Sequence, residues 1–236
     1  MIKTAIILAG GFGTRLKDVV SDLPKPMAPV NGTPFLTYLL NYLQKYGIQN
    51  VIISTGFLSE KISTYYKNKF KQLNIIYSHE EEPLGTGGGI RLALEKSQDE
   101  NVLILNGDSF FNLDIKSFCN SHLISNSQVS LALRKVNDVS RYGEIQTQEN
   151  RIIAFNEKST VAKPGLINAG VYIINKEIFL TNTGENLNFS IEKDFFAKHL
   201  TSISMSGFEF DNYFIDIGIP EDYKKVQNDF KESEYR

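Results

Sequence analysis

Only one cysteine, Cys119, and three histidines, His79, His122 and His199, occur among 236 residues, and tryptophan is absent. An internal disulfide framework is therefore excluded, and no Cys/His cluster has zinc spacing, so any metal is expected to be a hard ion on oxygen ligands. Neither sign of charge dominates: 25 Lys plus Arg against 27 Asp plus Glu leave a formal charge of −2, with no long basic block. That balance argues against broad nucleic-acid binding through a cationic surface. Long apolar runs are missing too. The opening MIKTAIILAGG holds a stretch too short for a signal core and far too short for a bilayer, so the expectation is a cytoplasmic protein with no membrane partner. What is present, 42% hydrophobic and 22% charged residues, suits a chain with a sizeable core rather than a disordered one. No linker, low-complexity tract or internal repeat interrupts it, and a single domain over residues 1–236 is the economical expectation.

Apolar runs of strand length alternate with helical patterns. Strands are expected from Ala5 to Ala9, Val51 to Ser54, Ile75 to Tyr77 and Val102 to Leu105; helices are expected from Phe35 to Tyr46, Ile62 to Phe70 and Ile90 to Leu94. This order predicts an α/β fold, Rossmann-like, with a mixed, mainly parallel sheet and helices on both faces. After Asp114 the pattern predicts a helix to Ser125, the strand VSLALRKV, a hairpin of GEIQT and RIIAFNEK about QEN, and the strand AGVYII. A helix around Ile191 to His199, a strand-like Tyr213 to Ile217 and a polar helix after Pro220 follow. Such β-rich material is expected to wall one side of a ligand site.

The strongest local signal is LAGGFGTRL, from Leu8 to Leu16, directly after the first strand. Consecutive glycines let backbone N–H groups cradle a phosphate chain, and Arg15 and Lys25 add positive charge. No Gly-Lys-Ser/Thr closes the loop, and Leu16 stands where a dinucleotide fingerprint needs its third glycine. Pro24 and Pro26 bracket Lys25 and stiffen it; alone, that lysine reads equally as a phosphate cation or as a solvated loop residue. A second glycine-rich stretch, EEEPLGTGGGI, leaves little side chain to block a flat ligand, and Thr86 offers a hydroxyl; an ordinary capped turn is the plainer alternative. Asp108, in NGD, and Asp216, in FIDIG, each end a predicted strand, where two carboxylates could hold Mg²⁺ with substrate phosphates or could simply cap turns.

Together these segments resemble the sugar-1-phosphate nucleotidyltransferase family. The likeness covers LAGGFGTRL, PKPM, EPLGTGG, NGD, YGEI, FNEK, NAGVYI and DIGIPEDY, in family order over nearly the whole chain. It implies a nucleotide-diphospho-sugar transferase fold and an enzyme that joins a nucleoside triphosphate to a sugar 1-phosphate with release of pyrophosphate, using Mg²⁺. By position it implies Arg15, Lys25 and Asp108 as catalytic, and Asp108 and Asp216 as metal-binding. Leu8, Gly10, Gly11, Gly13, Thr14, Arg15, Lys25, Glu80, Pro83, Gly85, Thr86 and Gly88 would hold the nucleotide. Tyr142, Gly143, Glu157, Lys158, Asn168 and Gly170 would hold the sugar phosphate. The likeness leaves a homodimer open.

Members that read thymine or uracil often carry Gln three positions before the proline of the second loop, where this chain has Glu80 before Pro83. A carboxylate only accepts hydrogen bonds, and guanine presents two adjacent donors, so GTP is the expected nucleotide. EPLGTGG also resembles guanylyltransferases that act on mannose and heptose 1-phosphates. Among these, the short chain with NFSIEKDFF and FIDIGIPEDY most resembles members acting on D-glycero-D-manno-heptose 1-phosphate; that family pattern, not pocket chemistry, implies a GDP-heptose for a bacterial surface polysaccharide as product. Uridylyl transfer to a hexose or N-acetylmuramic acid 1-phosphate and a catalytically silent sugar-nucleotide sensor are the alternatives. An NAD-dependent oxidoreductase is disfavoured by Leu16.

Overall fold

A computed structural model describes residues 2–11, 22–156, 161–184 and 187–231. The first strand, β1 (Thr4–Ala9), is apolar almost throughout because both its faces are covered. Ala5, Ile7 and Ala9 belong to one buried cluster, while Ile6, with Leu8 against it, belongs to the other. Lys25–Met27 form a single 3-10 turn, followed by a small hairpin of β2 (Pro29–Val30) and β3 (Thr33–Pro34). Helix α1 (Phe35–Lys45) buries Phe35, Leu36, Leu39, Leu40 and Leu43, the stripe of an amphipathic helix on a sheet. The first half continues through β4 (Asn50–Thr55), α2 (Ser59–Tyr66), β5 (Lys69–Phe70), β6 (Leu73–His79), α3 (Gly85–Leu94) and β7 (Asn101–Asn106).

The second half begins with β8 (Ser109–Phe111) and α4 (Ile115–Ile124), whose start is capped by Asp114 accepting from the Lys116 and Ser117 N–H groups. Next come β9 (Val129–Val136), β10 (Glu144–Gln148), β11 (Arg151–Asn156), β12 (Gly165–Asn175) and α5 (Lys176–Asn182). A π-helical segment over Ile191–Ala197, β13 (Met205–Glu209), β14 (Phe214–Asp216) and α6 (Pro220–Asp229), with proline in its first turn, complete the fold.

Among the described residues ten strands form one sheet in the order β10-β11-β13-β9-β12-β7-β1-β4-β6-β5. Strands β7, β1, β4 and β6 run parallel. Strand β12 is antiparallel to both β7 and β9, and β10 pairs back to β12 at Ile145 and Leu166, so the far half curls upon itself. The β-rich material is thus continuous with the parallel sheet. Helices α1, α2, α4 and α6 cover one face, and α3, α5 and the π-helical segment the other. Under the site-bearing edge, Phe110 packs against Tyr42 and Phe230 with ring centroids 5.3 Å away in each case.

Three local expectations are corrected. The helix expected from Ile62 to Phe70 stops at Tyr66, because Lys67 adopts a left-handed φ of 53°, and Phe70 pairs with Leu73 in a hairpin. Phe70 lies four residues after Tyr66, a spacing that imitates a helical stripe. The glycine stretch at Gly85 is the first turn of α3 rather than a loop leading to it. Finally, α5 had no counterpart in the sequence pattern; it is short, and Asn175 caps it by accepting from Ile178 N–H. The QEN hairpin closes as expected, through Glu149 and Asn150, both at positive φ as a tight two-residue turn requires.

Candidate active site

In an open α/β sheet a ligand sits beyond the carboxyl ends of the strands, where the strand order reverses. Here the chain leaves β1 toward β4 and β6 and returns to β7 on the other side. A cavity of about 410 Å³ opens at that junction. Its walls are strand ends: Leu8 to Gly11 at and just beyond the end of β1, Ser54 in β4, Glu80 after β6, and Asn106 to Asp108 at and just beyond the end of β7. Lys25, Pro26, Pro83, Gly85 and Thr86 complete the lining. The chains approach closely here: Gly107 N–H donates to the Leu8 carbonyl at 2.9 Å, and a Cβ on Gly107 would lie 2.4 Å from that oxygen.

Asp216 reaches this edge through a pairing that the sequence order hides. Strand β14 runs antiparallel to β8, with Asp216 opposite Ser109, and Ile217 N–H donates to the Asp108 carbonyl at 2.9 Å. The two aspartates then share one cation. Lys25 Nζ donates to Asp108 Oδ2 at 2.6 Å and lies 4.0 Å from Asp216 Oδ1, with its side chain only 10% exposed. The lysine is held from its backbone: Pro24 is extended, and the turn closes through Met27 N–H to the Pro24 carbonyl at 2.7 Å. Helix α6 braces the next residues, since Tyr223 Oη and Gln227 Nε2 both donate to the Pro29 carbonyl, at 2.5 and 2.9 Å.

The residues present fit a divalent hard cation. The donor set is two carboxylates with no thiol or imidazole, and the gap between them already accepts a positive charge, that of Lys25. Among the described residues there is no group of three or more His, Cys, Asp or Glu side chains poised to hold a metal. Two carboxylates completed by water and phosphate oxygens is the usual arrangement for Mg²⁺.

On the nucleotide side, the Glu80 carboxylate is tied into the fold. Its Oε1 accepts from Ser54 Oγ at 3.0 Å and its Oε2 from Leu84 N–H at 3.1 Å. Cβ atoms placed on Gly10 and Gly89 would lie 2.7 and 2.8 Å from Oε1, so the carboxylate is packed between the two glycine segments. Around Gly11, by contrast, no described atom lies within 4 Å of where a Cβ would stand. Within α3 the glycines serve packing: a Cβ on Gly87 would strike the Phe189 ring, and one on Gly88 the Leu187 carbonyl. Gly88 is buried and does not line the cavity. Thr86 does, while its Oγ1 also accepts from Ile191 N–H at 3.0 Å.

On the opposite side, Tyr142 and Gly143 lead into β10, and the Tyr142 ring packs edge-on against Phe214, two residues before Asp216. Asn168 Nδ2 donates to Tyr172 Oη and to Glu192 Oε1, both at 2.8 Å. Gly170, at φ 74°, sits where the register of β12 against β9 shifts, and a Cβ there would lie 2.6 Å from Asn106 Nδ2. β12 therefore presses its Asn168–Gly170 stretch onto the end of β7. Burial, with the nearby Glu192, pushes the Tyr172 phenol far up, so it stays protonated. Gly13, Thr14, Arg15, Glu157 and Lys158 lie outside the described residues.

Several polar groups at the site were not singled out from the sequence. Asn106 was visible as the first letter of NGD, and Ser54 as the polar end of an apolar strand. Glu192 lies inside a helical pattern and gave no local signal. Arg141, beside the YGEI motif, bonds Asp222 of α6 through Nη2 at 2.8 Å and stacks 5.1 Å from the Tyr142 ring centroid.

A mixed sheet with a cavity of about 410 Å³ at the switch point of its parallel part, with two carboxylates and a nearly buried lysine at or beside it, has the arrangement of a nucleotide-handling transferase site. Residues 4–233 match the nucleotidyl transferase family, and the chain belongs to it. It is 47% identical, over 96% of its length and 98% of the relative's, to D-glycero-alpha-D-manno-heptose 1-phosphate guanylyltransferase of Aneurinibacillus thermoaerophilus. To the enzyme of the same name from Campylobacter jejuni it is 42% identical, over 93% of this chain and 96% of that one. Its fold is similar to the crystal structure of HddC from Yersinia pseudotuberculosis complexed with GMP-PN, with a TM-score of 0.85 and 37% identity over 98% of this chain and all of that one.

Proposed function

We propose that this chain transfers a guanylyl group from GTP to D-glycero-α-D-manno-heptose 1-phosphate, releasing pyrophosphate and forming a GDP-heptose. The observation that carries the reading is one cavity lined by Glu80 on its nucleotide wall and by Lys25 and Asp108 at its far end, with Asp216 4.0 Å behind the Lys25 ammonium. The near-full-length identity to two heptose 1-phosphate guanylyltransferases supports it.

A phosphate monoester oxygen of the sugar 1-phosphate is already a charged nucleophile, so in-line attack on the α-phosphorus of GTP needs no general base. Catalysis rests on positioning and on neutralising charge. The Gly10–Gly11 backbone gives the triphosphate a close approach, and Glu80 accepts from the adjacent N1–H and N2–H₂ donors of guanine. Lys25, with Arg15, balances charge on the transferring group and on departing pyrophosphate. Asp108 and Asp216 would hold Mg²⁺, which would supply Lewis-acid neutralisation of phosphate charge. Tyr142, Gly143, Asn168 and Gly170, with Glu157 and Lys158, form the sugar-phosphate side. The chain works as one nucleotidyltransferase domain, in the cytoplasm, where its nucleotide is available. Among the described residues no helix is long and apolar enough to cross a membrane.

The test is pyrophosphate release with Mg²⁺, scanning GTP, UTP, dTTP, CTP and ATP against mannose, glucose and heptose 1-phosphates. Release with GTP and the heptose phosphate is expected. Release confined to UTP or dTTP would remove the guanine assignment, and release only with a hexose phosphate would remove the heptose.

A further inference from the structure

We propose that Lys25 plugs the divalent-cation position in the nucleotide-free protein, so that the metal enters only with the phosphates that draw the ammonium away. The inference rests on the reading of Asp108 and Asp216 as the metal-binding pair.

The ammonium lies 2.6 Å from one of these carboxylates and 4.0 Å from the other, in a niche where the lysine side chain is nearly buried. Gly218 closes that niche: a Cβ there would lie 2.9 Å from Lys25 Nζ and 2.7 Å from Asp216 Oδ1. Gly218 N–H also donates to Asp216 Oδ1 at 2.7 Å, which fixes the carboxylate that faces the ammonium. A divalent ion on Asp108 Oδ2 would have to approach the same oxygen that Lys25 occupies. Lys25 already offsets one of the two carboxylate charges and the Arg141 guanidinium also acts on Asp216; adding a divalent ion without an anion piles up positive charge in a partly buried niche, where such charge is costly.

Phosphate oxygens resolve this conflict by giving the ammonium a new partner and the metal additional ligands. The backbone does not have to move. The bracketing prolines and the Met27 N–H bond to the Pro24 carbonyl restrain the turn, and α6 holds Pro29 just beyond it, so the four-carbon stem of Lys25 makes the exchange by rotamer change. The same lysine thereby blocks metal uptake by the empty site and serves the phosphates once they arrive.

Mn²⁺ is the probe, followed by the electron paramagnetic resonance signal of the unbound ion with no nucleotide present. Wild type, Lys25→Met, Lys25→Gln and Lys25→Met/Asp108→Asn are compared, with circular dichroism to verify folding. Removing the competing ammonium is expected to tighten Mn²⁺ binding roughly tenfold or more, and the added Asp108→Asn change is expected to abolish the gain. Equal Mn²⁺ affinity in wild type and both folded Lys25 variants would overturn the plug. No Mn²⁺ binding by any of them would overturn both the plug and the metal assignment. Pyrophosphate release by wild type with GTP and heptose 1-phosphate is scored separately, so loss of the substrate reading does not pass for loss of the plug.

Discussion

The two glycine segments look alike in sequence and do opposite work. At Gly11 the missing side chain leaves a route for a ligand, since no described atom lies within 4 Å of a Cβ there, while Gly10 borders the cavity and makes room for the Glu80 carboxylate. Around Gly87 and Gly88 the missing side chains leave room for protein instead, and a Cβ would come within 2.1 Å of the Phe189 ring or 1.8 Å of the Leu187 carbonyl. The first segment lets a phosphate near the backbone; the second lets a helix lie against the segment before the π-helical turn. Glu80 joins them, because its Oε1 touches the places where Cβ atoms of both Gly10 and Gly89 would stand. A cluster of glycines therefore reports close approach, and only the surrounding fold says whether a ligand or the chain itself comes close.

The largest effect is expected at the charged end of the first segment's cavity. Asp108→Asn and Asp216→Asn should each lower turnover on the order of a hundredfold or more, with the unfolding transition in urea little changed. Wild-type turnover in either variant would remove that carboxylate from the reaction. In the second segment, Gly88→Ala should cost about 3 kcal/mol of stability, since the obstructing atom is a backbone carbonyl rather than a pliable side chain. Gly11→Ala should stay within about 0.5 kcal/mol of wild type in the same urea titration, while raising the KM for GTP. Equal destabilisation by the two substitutions would erase the contrast between the segments.

A smaller effect is expected at the joint. Glu80→Gln keeps an oxygen acceptor for Leu84 N–H but removes one of the two acceptors offered to guanine, so the ratio of kcat/KM for GTP over UTP should fall. An unchanged ratio would assign base recognition to backbone groups.

The smallest effect lies away from the cavity. His122 is buried, with Nδ1 2.8 Å from Ser130 Oγ and Nε2 3.4 Å from Asn101 Oδ1. Burial holds its imidazole below the ordinary 6.5. The unfolded chain thus binds a proton that the fold resists; the stability this contributes is complete above pH 6.5 and is lost as pH falls toward the folded-state value. His122→Gln should flatten that part of a stability-against-pH curve, and an identical slope in the variant would show that other groups set it.

Much of the parallel half was legible because a strand covered on both faces must be apolar at nearly every position, as AIILA and VLIL are. The family motifs also pointed to Lys25 and both aspartates, and the position three before Pro83 to Glu80, before their neighbourhood was known. The meeting of the two aspartates at one sheet edge was expected, but not the pairing that brings it about. Asp216 meets Asp108 only through the β8–β14 pairing, a non-local register that no periodicity reveals. Gly88 illustrates the reverse limit: its motif position suggested a nucleotide contact, whereas its surroundings are those of a helix packed on the Leu187 carbonyl. The helical spacing of Tyr66 and Phe70 misled in a similar way, since a left-handed Lys67 breaks the helix without any glycine to announce it.

The most direct measurement is a crystal structure with a non-hydrolysable GTP analogue and Mg²⁺. The account predicts the guanine edge on the Glu80 carboxylate, the triphosphate along Gly10 and Gly11, Lys25 moved from Asp108 onto phosphate, and Gly87 and Gly88 still packed on Phe189 and Leu187. A base seated away from Glu80, or a triphosphate lying on the glycines of α3, would contradict it.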